Sequence, residues 1–110
     1  MTVNILGTDY TIEERTQDED EILNDSTDGY CDKTVKLIVV GNDPDKSDLK
    51  DYDEYKKLVL RHEIIHAFLF ESGLHESFTH PTTGHDEQYV DWFAVQSPKI
   101  FEAFKKAGCL

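Results

Sequence analysis

Hydrophobic and polar residues alternate at the start of the chain in a pattern that predicts β-strands. Val3 and Ile5 precede a glycine turn at residues 7–9, and Tyr10 and Ile12 follow it, with one polar residue inside each pair. A period of two places all four apolar side chains on one face of a β-hairpin. We therefore expect the chain to begin with two antiparallel strands.

An acidic loop separates this hairpin from a second strand region. Residues 16–28 contain one aliphatic pair, Ile22 and Leu23, which we expect to anchor a weak helical turn in a solvated loop. Residues 35–40 are mainly β-branched or aliphatic and predict a strand in or beside the core. Residues 41–51 contain proline and several aspartates and predict another loop. The first half thus predicts a small antiparallel sheet of three to four strands.

The apolar spacing changes to that of a helix in the second half of the chain. Residues 51–72 contain neither proline nor glycine, and their apolar side chains become dense towards the end, at positions 58–60, 64, 65 and 67–70. This pattern predicts a helix that is amphipathic at its start and buried in its last turns. Gly73 and Leu74 predict its C-terminal stop, with the glycine in the left-handed conformation.

A second helical segment is expected after a loop at residues 74–84, which is rich in histidine, threonine and proline. This helix should begin near His85 and continue to about Val95. Pro98 is expected to break or restart it, because proline lacks a backbone N–H group and clashes with the preceding turn. Residues 99–107 then predict a final amphipathic helix.

The order of these elements predicts an α+β fold with the sheet first and the helices second. The chain has 110 residues, which is enough for one compact core, and we find neither an internal repeat nor a linker between domains. We therefore expect a single domain over residues 1–110. Its residues 1–50 form an acidic, β-rich part, and residues 51–110 form a helical part.

The net charge of −12 is unevenly distributed along the chain. Residues 1–54 carry 16 acidic and 5 basic side chains, whereas residues 55–110 carry 7 acidic and 6 basic side chains. So much negative charge argues against binding to nucleic acid or to an anionic membrane. It would suit a basic partner.

Several features predict a cytoplasmic location. No apolar run approaches the roughly 18 residues of a membrane-spanning helix. The first ten residues lack the basic and long apolar regions of a signal peptide. Cys31 and Cys109 lie far apart without a metal-ligand spacing, so we interpret them as reduced and inert thiols.

His62, Glu63 and His66 form an HExxH motif inside the first predicted helix. Four residues of α-helix turn by about 400° and rise by about 6 Å, so both imidazoles project from one face and can reach one Zn²⁺. Glu63 lies about 100° from His62 around the helix, where it suits a base acting on a metal-held water better than a third ligand. The alternative is a pair of core histidines satisfied by other groups, which is costly in so apolar a segment.

A catalytic zinc site needs a third protein ligand and one open position. The longer motif of the metzincins is absent, because its glycine and last histidine are replaced by Leu69 and Ser72. Glu87 opens the second helix and Asp91 follows one turn later, so Glu87 could bind the metal while Asp91 orients a ligand imidazole. The alternative is an acidic first turn that the helix dipole favours.

Three histidines in or beside the loop between the helices are further candidates: His75, His80 and His85. One of them could replace Glu87 as a ligand, or donate a hydrogen bond to the oxyanion in a transition state. The alternative is that all three are exposed loop residues.

Two segments of the chain, residues 61–67 and 87–94, together resemble a minimal gluzincin. They are most similar to the ImmA/IrrE-like metallopeptidases of phages and mobile elements, and the resemblance covers mainly residues 58–96. The second helix of that family has the form Glu-x-x-Ala-Asn-x-Phe-Ala. This chain matches it at three positions and departs from it at two: Glu87, Phe93 and Ala94 match, whereas Val90 and Asp91 differ.

The resemblance implies a zincin-like fold with His62, His66 and Glu87 as zinc ligands and Glu63 as the general base. In gluzincins a Glu-x-x-x-Asp pair supplies the third ligand and the residue behind it, which matches Glu87 and Asp91. Related proteins cleave or bind helix-turn-helix repressors, so the resemblance implies a regulatory protein of that kind as the substrate.

The sequence as a whole predicts a zinc-dependent metallopeptidase acting on a peptide or protein substrate, with Glu63 as the base. The strand at residues 35–40, if it lies at the sheet edge above the zinc helix, is expected to pair with an extended substrate. The alternative is a zinc-stabilised interaction module with little or no turnover that binds a basic partner. Such structural sites usually have four protein ligands, whereas only three can be named here.

Overall fold

The computed structural model describes residues 1–77, 86–107 and 109–110. The described part is of the expected α+β class, with strands in the first half of the chain and helices in the second. The strands are β1 (Thr2–Ile5), β2 (Thr8–Arg15), β3 (Gly29–Asp32) and β4 (Leu37–Gly41). The α-helices are α1 (Tyr52–Glu71), the short α2 (Leu74–Ser77) and α3 (Glu87–Ala107), and a 3₁₀ turn covers Pro44–Lys46.

The hairpin predicted at the start of the chain is confirmed as β1 and β2. Val3 pairs with Tyr10 in antiparallel register, and Ile5 pairs with Thr8. The two turn residues, Leu6 and Gly7, have φ values of 52° and 93°, so the turn is of a primed type that matches strand twist. The turn therefore lies one residue earlier than the glycine pattern indicates.

The sheet is mixed, so the expectation of a purely antiparallel sheet is wrong. Its order is β1-β2-β4-β3, and β2 pairs with β4 in parallel, with Ile12 opposite Ile38. The reason is the path of the connection at residues 16–28. It leaves the position beside β2 free and places β3 one strand further out, at the edge of the sheet. The β3–β4 hairpin then returns β4 beside β2 in the same direction as β2.

That connection contains a single helical-type turn, in which the Asp20 N–H donates to the Thr16 carbonyl at 3.1 Å, and the expected anchor of the segment is partly confirmed. Leu23 is buried, whereas Ile22 is exposed. An isolated bridge joins Asn24 and Thr27, so the segment folds as a series of turns.

One face of the sheet packs against α1 and forms the core. The fully or nearly buried members are Ile5, Tyr10, Ile38, Val40 and Ala67. Packed against them are partly buried residues from the strands and from α1: Val3, Ile12, Cys31, Val59, Leu60 and Ile64.

Helix α1 has nearly the predicted bounds. The side chain of Asp51 accepts a hydrogen bond from the Glu54 backbone N–H and so caps the first turn. Gly73 has a φ of 80° just beyond the other end, which confirms the predicted glycine stop. The last turns are less buried than expected, because Phe68 is exposed.

Helix α3 is continuous from Glu87 to Ala107, so the expected break at Pro98 is wrong. The Asp86 side chain accepts a hydrogen bond from the Gln88 N–H at 2.8 Å and caps the start. Proline in a helix leaves one carbonyl without its usual donor, here the carbonyl of Ala94. Arg61 of α1 donates its Nε–H to that carbonyl at 2.7 Å.

The expected loop after α1 begins instead with the short helix α2, and the rest of that loop lies outside the described residues. Within the described residues, no helix is long and apolar enough to cross a bilayer.

Candidate metal centre

The two histidines of the HExxH motif converge in the structure. Both project from α1, and their Nε2 atoms lie 2.9 Å apart. His66 is buried and His62 is half-buried, because α1 is covered by the sheet on one side and by α3 on another. The predicted common face of the two imidazoles is therefore the face that α1 turns towards α3.

Glu87 reaches the same point from the first turn of α3. One carboxylate oxygen lies 2.9 Å from His66 Nε2, and the other lies 3.2 Å from His62 Nε2. Ligands at roughly 2.0–2.1 Å from a tetrahedral zinc ion are about 3.4 Å apart. The three side chains thus lie slightly closer together than zinc requires, and two imidazoles with one carboxylate are a donor set that suits this metal.

Asp91 lies behind His62, one helical turn after Glu87. Its Oδ1 atom is 2.6 Å from His62 Nδ1. A carboxylate in this position accepts a hydrogen bond from Nδ1–H, which leaves the lone pair of Nε2 facing the centre. The arrangement is the one expected of a residue that orients a metal-binding imidazole.

Glu63 is buried beside this group. Its Oε1 atom lies 3.9 Å from His62 Nε2, and single donor atoms of His62, Glu63 and His66 all lie within 4.8 Å of one another. Burial, followed by the negative charges of Glu87 and Asp91, raises the pKa of Glu63 to about 8. A carboxyl group in this environment is well suited to accepting and releasing a proton near neutral pH.

Gly29, the first residue of β3, sets how closely the sheet approaches α1 at this site. A Cβ atom at this position would lie 2.7 Å from Val59 Cγ1, 2.9 Å from the Val39 carbonyl oxygen and 3.5 Å from Glu63 Cγ. Any larger side chain would push the strand and the helix apart. The sequence contains no local signal for this close approach, because a glycine before a strand is also common in turns.

An open cleft of about 790 Å³ lies between β3 and the two helices. The candidate residues form one side, and residues 26–31 form the other. Four carboxylates line it, whereas no lysine or arginine is found among its described lining residues; the carboxylates are Asp28, Glu63, Glu87 and Asp91.

The structure does not bring His75 into this donor group. His75 lies in α2, and its ring centroid is 4.7 Å from that of Phe70, which in turn stacks at 6.2 Å on His66. His80 and His85 lie outside the described residues.

The cysteines do not contribute donors to the cluster of described residues. Cys31 lines the cleft, and burial together with the charge of Glu63 raises the pKa of its thiol to about 12. The thiol is therefore protonated and unreactive at neutral pH, which agrees with the expected inert role, and Cys109 is exposed.

No protein-family model, curated protein or solved structure matches this chain. The resemblance to ImmA/IrrE-like metallopeptidases, which rests on the two motifs alone, therefore stays a prediction.

Proposed function

We propose that this protein is a zinc-dependent metallopeptidase. The proposal rests above all on the convergence of three side chains from two helices. His62, His66 and Glu87 bring their donor atoms within 2.9–3.2 Å of one another, and Glu63 lies next to them. This arrangement supplies three ligands, a base and an open side towards the cleft, which is the set that metal-assisted hydrolysis needs.

In this proposal His62, His66 and Glu87 hold the ion, and Asp91 keeps His62 in the required tautomer. Zinc, when bound, supplies Lewis-acid chemistry that polarises a scissile carbonyl and makes a water molecule more acidic. Glu63 Oε1 accepts the proton of the attacking water and then delivers it to the leaving amine. The buried position of this carboxyl keeps bulk water from competing for the proton.

The substrate backbone is proposed to lie along β3. The sheet order corrects the expectation for residues 35–40, because β4 lies between β2 and β3 and has no open edge. Gly41 N–H donates to the Asp28 carbonyl at 2.7 Å, and antiparallel pairs alternate in their hydrogen bonding. The backbone groups of Gly29 and Cys31 therefore face away from β4, towards the open edge, where an extended peptide can add as a further strand.

The charge of the cleft favours a basic peptide or protein as the substrate. Its lining carries Asp28, Glu63, Glu87 and Asp91, and residues 1–54 have a net charge of −11. Opposite charge on the substrate would speed encounter and orient it. A helix-turn-helix regulator, which carries a basic DNA-binding surface, has this character and is the substrate that the family resemblance implies.

The proposal is tested by metal analysis together with a peptidase assay. We expect one zinc ion per chain, and cleavage of members of a random peptide library that mass spectrometry detects. Glu63→Gln should keep the zinc and reduce hydrolysis by a factor of about 10² to 10⁴. Glu54→Gln, the same change at an exposed position on α1, should leave both unchanged.

Two results would contradict the proposal. A wild-type protein that binds no zinc lacks the site itself. A protein that binds zinc but cleaves no peptide is instead the zinc-stabilised interaction module, and its ion would have a fourth protein ligand. Equal cleavage by the Glu63→Gln variant would leave a zinc peptidase but exclude Glu63 as its base.

A further inference from the structure

Arg61 joins the two helices that carry the candidate ligands, at a point just beyond the metal centre. Its Nε atom donates to the carbonyl oxygen of Ala94 at 2.7 Å. Ala94 is fully buried, so water does not compete for that carbonyl. A buried carbonyl without a donor is costly, and this hydrogen bond from a charged group is correspondingly valuable.

The carbonyl is available to Arg61 because of Pro98. In an α-helix each carbonyl accepts from the N–H four residues later, and for Ala94 that residue is proline, which has no N–H. The neighbouring interior carbonyls of α3 accept from their own helix. The Ala94 carbonyl therefore depends on Arg61 for its donor, and a shift of the helix would break that hydrogen bond.

Ala94 shares a helix face with the acidic residues of the site. Glu87, Asp91 and Ala94 are spaced as i, i+4 and i+7, which places them on one side of α3. Their partners on α1 follow in the opposite order, from His66 through His62 to Arg61. The Arg61–Ala94 contact is thus the third contact along this pair of antiparallel helices. Unlike the other two contacts, it involves neither a candidate ligand nor Asp91.

We propose that Arg61 is a positioning residue that sets the register of α3, so that Glu87 and Asp91 meet the two imidazoles of α1. This inference rests on the proposed zinc site. A slip of one residue moves a helix by about 1.5 Å and turns it by about 100°, which would take both carboxylates away from the histidines. Arg61 opposes that slip whether or not a metal is present.

The first test is a zinc titration of Arg61→Met with a competing chromophoric chelator. We expect the zinc dissociation constant to rise about tenfold or more, as for other residues that orient metal ligands. The visible spectrum of the cobalt-loaded protein, which reports ligand geometry, should change as well. Lys57→Met, which removes a positive charge from an exposed position on the same helix, should change neither, and Arg61→Lys should recover part of the affinity.

The second test separates positioning from a merely structural role. In Pro98→Ala, the new N–H of residue 98 can donate to the Ala94 carbonyl, which has two lone pairs and keeps Arg61 as well. We expect this variant to bind zinc like the wild type. Adding Arg61→Met to this variant should lower the urea midpoint of the metal-free protein only slightly, because the Ala94 carbonyl still accepts from the N–H of residue 98. It should still cost about tenfold in zinc affinity.

Four results would overturn the inference. One is equal zinc affinity in Arg61→Met and Lys57→Met. Another is recovery of the full wild-type zinc affinity when Pro98→Ala is added to Arg61→Met. If Arg61→Met does not fold, the comparison is made within the Pro98→Ala background, where equal affinity with and without Arg61 overturns it. A wild-type protein that binds no zinc would overturn the proposed function together with this inference, whereas the other results leave the proposed function intact.

Discussion

The Oδ1 atom of Asp91 lies 2.6 Å from the Nδ1 atom of His62, across the boundary between α3 and α1. This contact determines which imidazole nitrogen can bind a metal. With Nδ1–H donating to the carboxylate, Nε2 keeps its lone pair and faces His66 and Glu87. A residue of the second helix thus sets the chemistry of a residue of the first.

We expect Asp91→Asn to weaken zinc binding about tenfold. The neutral amide holds the imidazole less strongly and can also turn its NH₂ group towards Nδ1, which would stabilise the wrong tautomer. A chelator competition titration measures the effect. Glu102→Gln, on an exposed position of the same helix, is the control, and unchanged affinity in Asp91→Asn would show that Asp91 does not orient His62.

The choice between Glu87 and a histidine as third ligand leads to a second prediction. Because the Glu87 carboxylate touches both Nε2 atoms, Glu87→Gln should reduce zinc affinity by more than about 100-fold, beyond the range of a residue that only orients a ligand. His75→Gln should have little effect, since Phe70 lies between its ring and the centre. The same titration applied to His80→Gln and His85→Gln completes the set. A larger loss in any of the histidine variants than in Glu87→Gln would transfer the ligand role to that histidine.

The close approach at Gly29 is expected to make Gly29→Ala destabilising by about 1–3 kcal/mol, the usual cost of overpacking. The added methyl group collides with Val59 Cγ1 and with the Val39 carbonyl. Urea unfolding measures the loss. The loss in free energy of unfolding caused by Gly29→Ala should be smaller in a Val59→Ala background, where the Val59 Cγ1 atom is absent. An equal loss in both backgrounds would show that the collision with Val59 is not the cause.

A pH prediction follows from the surroundings of Glu71. Its carboxylate lies 2.7 Å from Lys36 Nζ and accepts hydrogen bonds from the hydroxyls of Tyr10 and Thr8. The Lys36 contact, followed by the Tyr10 hydrogen bond, lowers the pKa of Glu71 below its ordinary value of 4.5. The stabilisation is therefore complete above that ordinary pKa and is lost as the pH falls through the lowered one.

Urea midpoints of the metal-free protein at pH 7 and pH 3 test this expectation. Glu71→Gln should be less stable than the wild type at pH 7, and the difference should be smaller at pH 3, because protonation of the wild-type carboxyl removes the charge that Lys36 contacts. Glu54→Gln, at an exposed position, should follow the wild type at both values. A difference for Glu71→Gln that stays the same at both pH values would contradict the argument.

Much of the candidate site was predictable because its residues obey helical spacing. The pairs His62 with His66, and Glu87 with Asp91, each fall one turn apart, so sequence alone places each pair on one helix face. Helical spacing does not show, however, that the pair on α1 contacts the pair on α3, so that contact was only an expectation. The roles of Gly29 and Arg61 could not be predicted, because each depends on a neighbour distant in the chain. Pro98 did carry a signal, since a proline within a helix requires another donor for the carbonyl four residues earlier.

The fold was predictable in class, in its opening hairpin and in the bounds of α1, but not in strand order. Alternation in β1 and β2 indicates which side chains face the core, and the apolar run at β4 indicates burial. Neither pattern states which strands are neighbours. The parallel pairing of β2 with β4 follows from the path of residues 16–28, and nothing in their composition encodes that path.

The inner position of β4 has a consequence for a chain that is still being synthesised. Until Gly41 has emerged, β2 lacks the strand that covers its open edge, and β3 lacks the strand that binds it to the sheet. Unpaired edges of this kind invite pairing between chains. The acidic residues gathered before Gly41 would repel other copies during that interval, so the charge of the N-terminal half would protect an unfinished sheet from pairing with a second one.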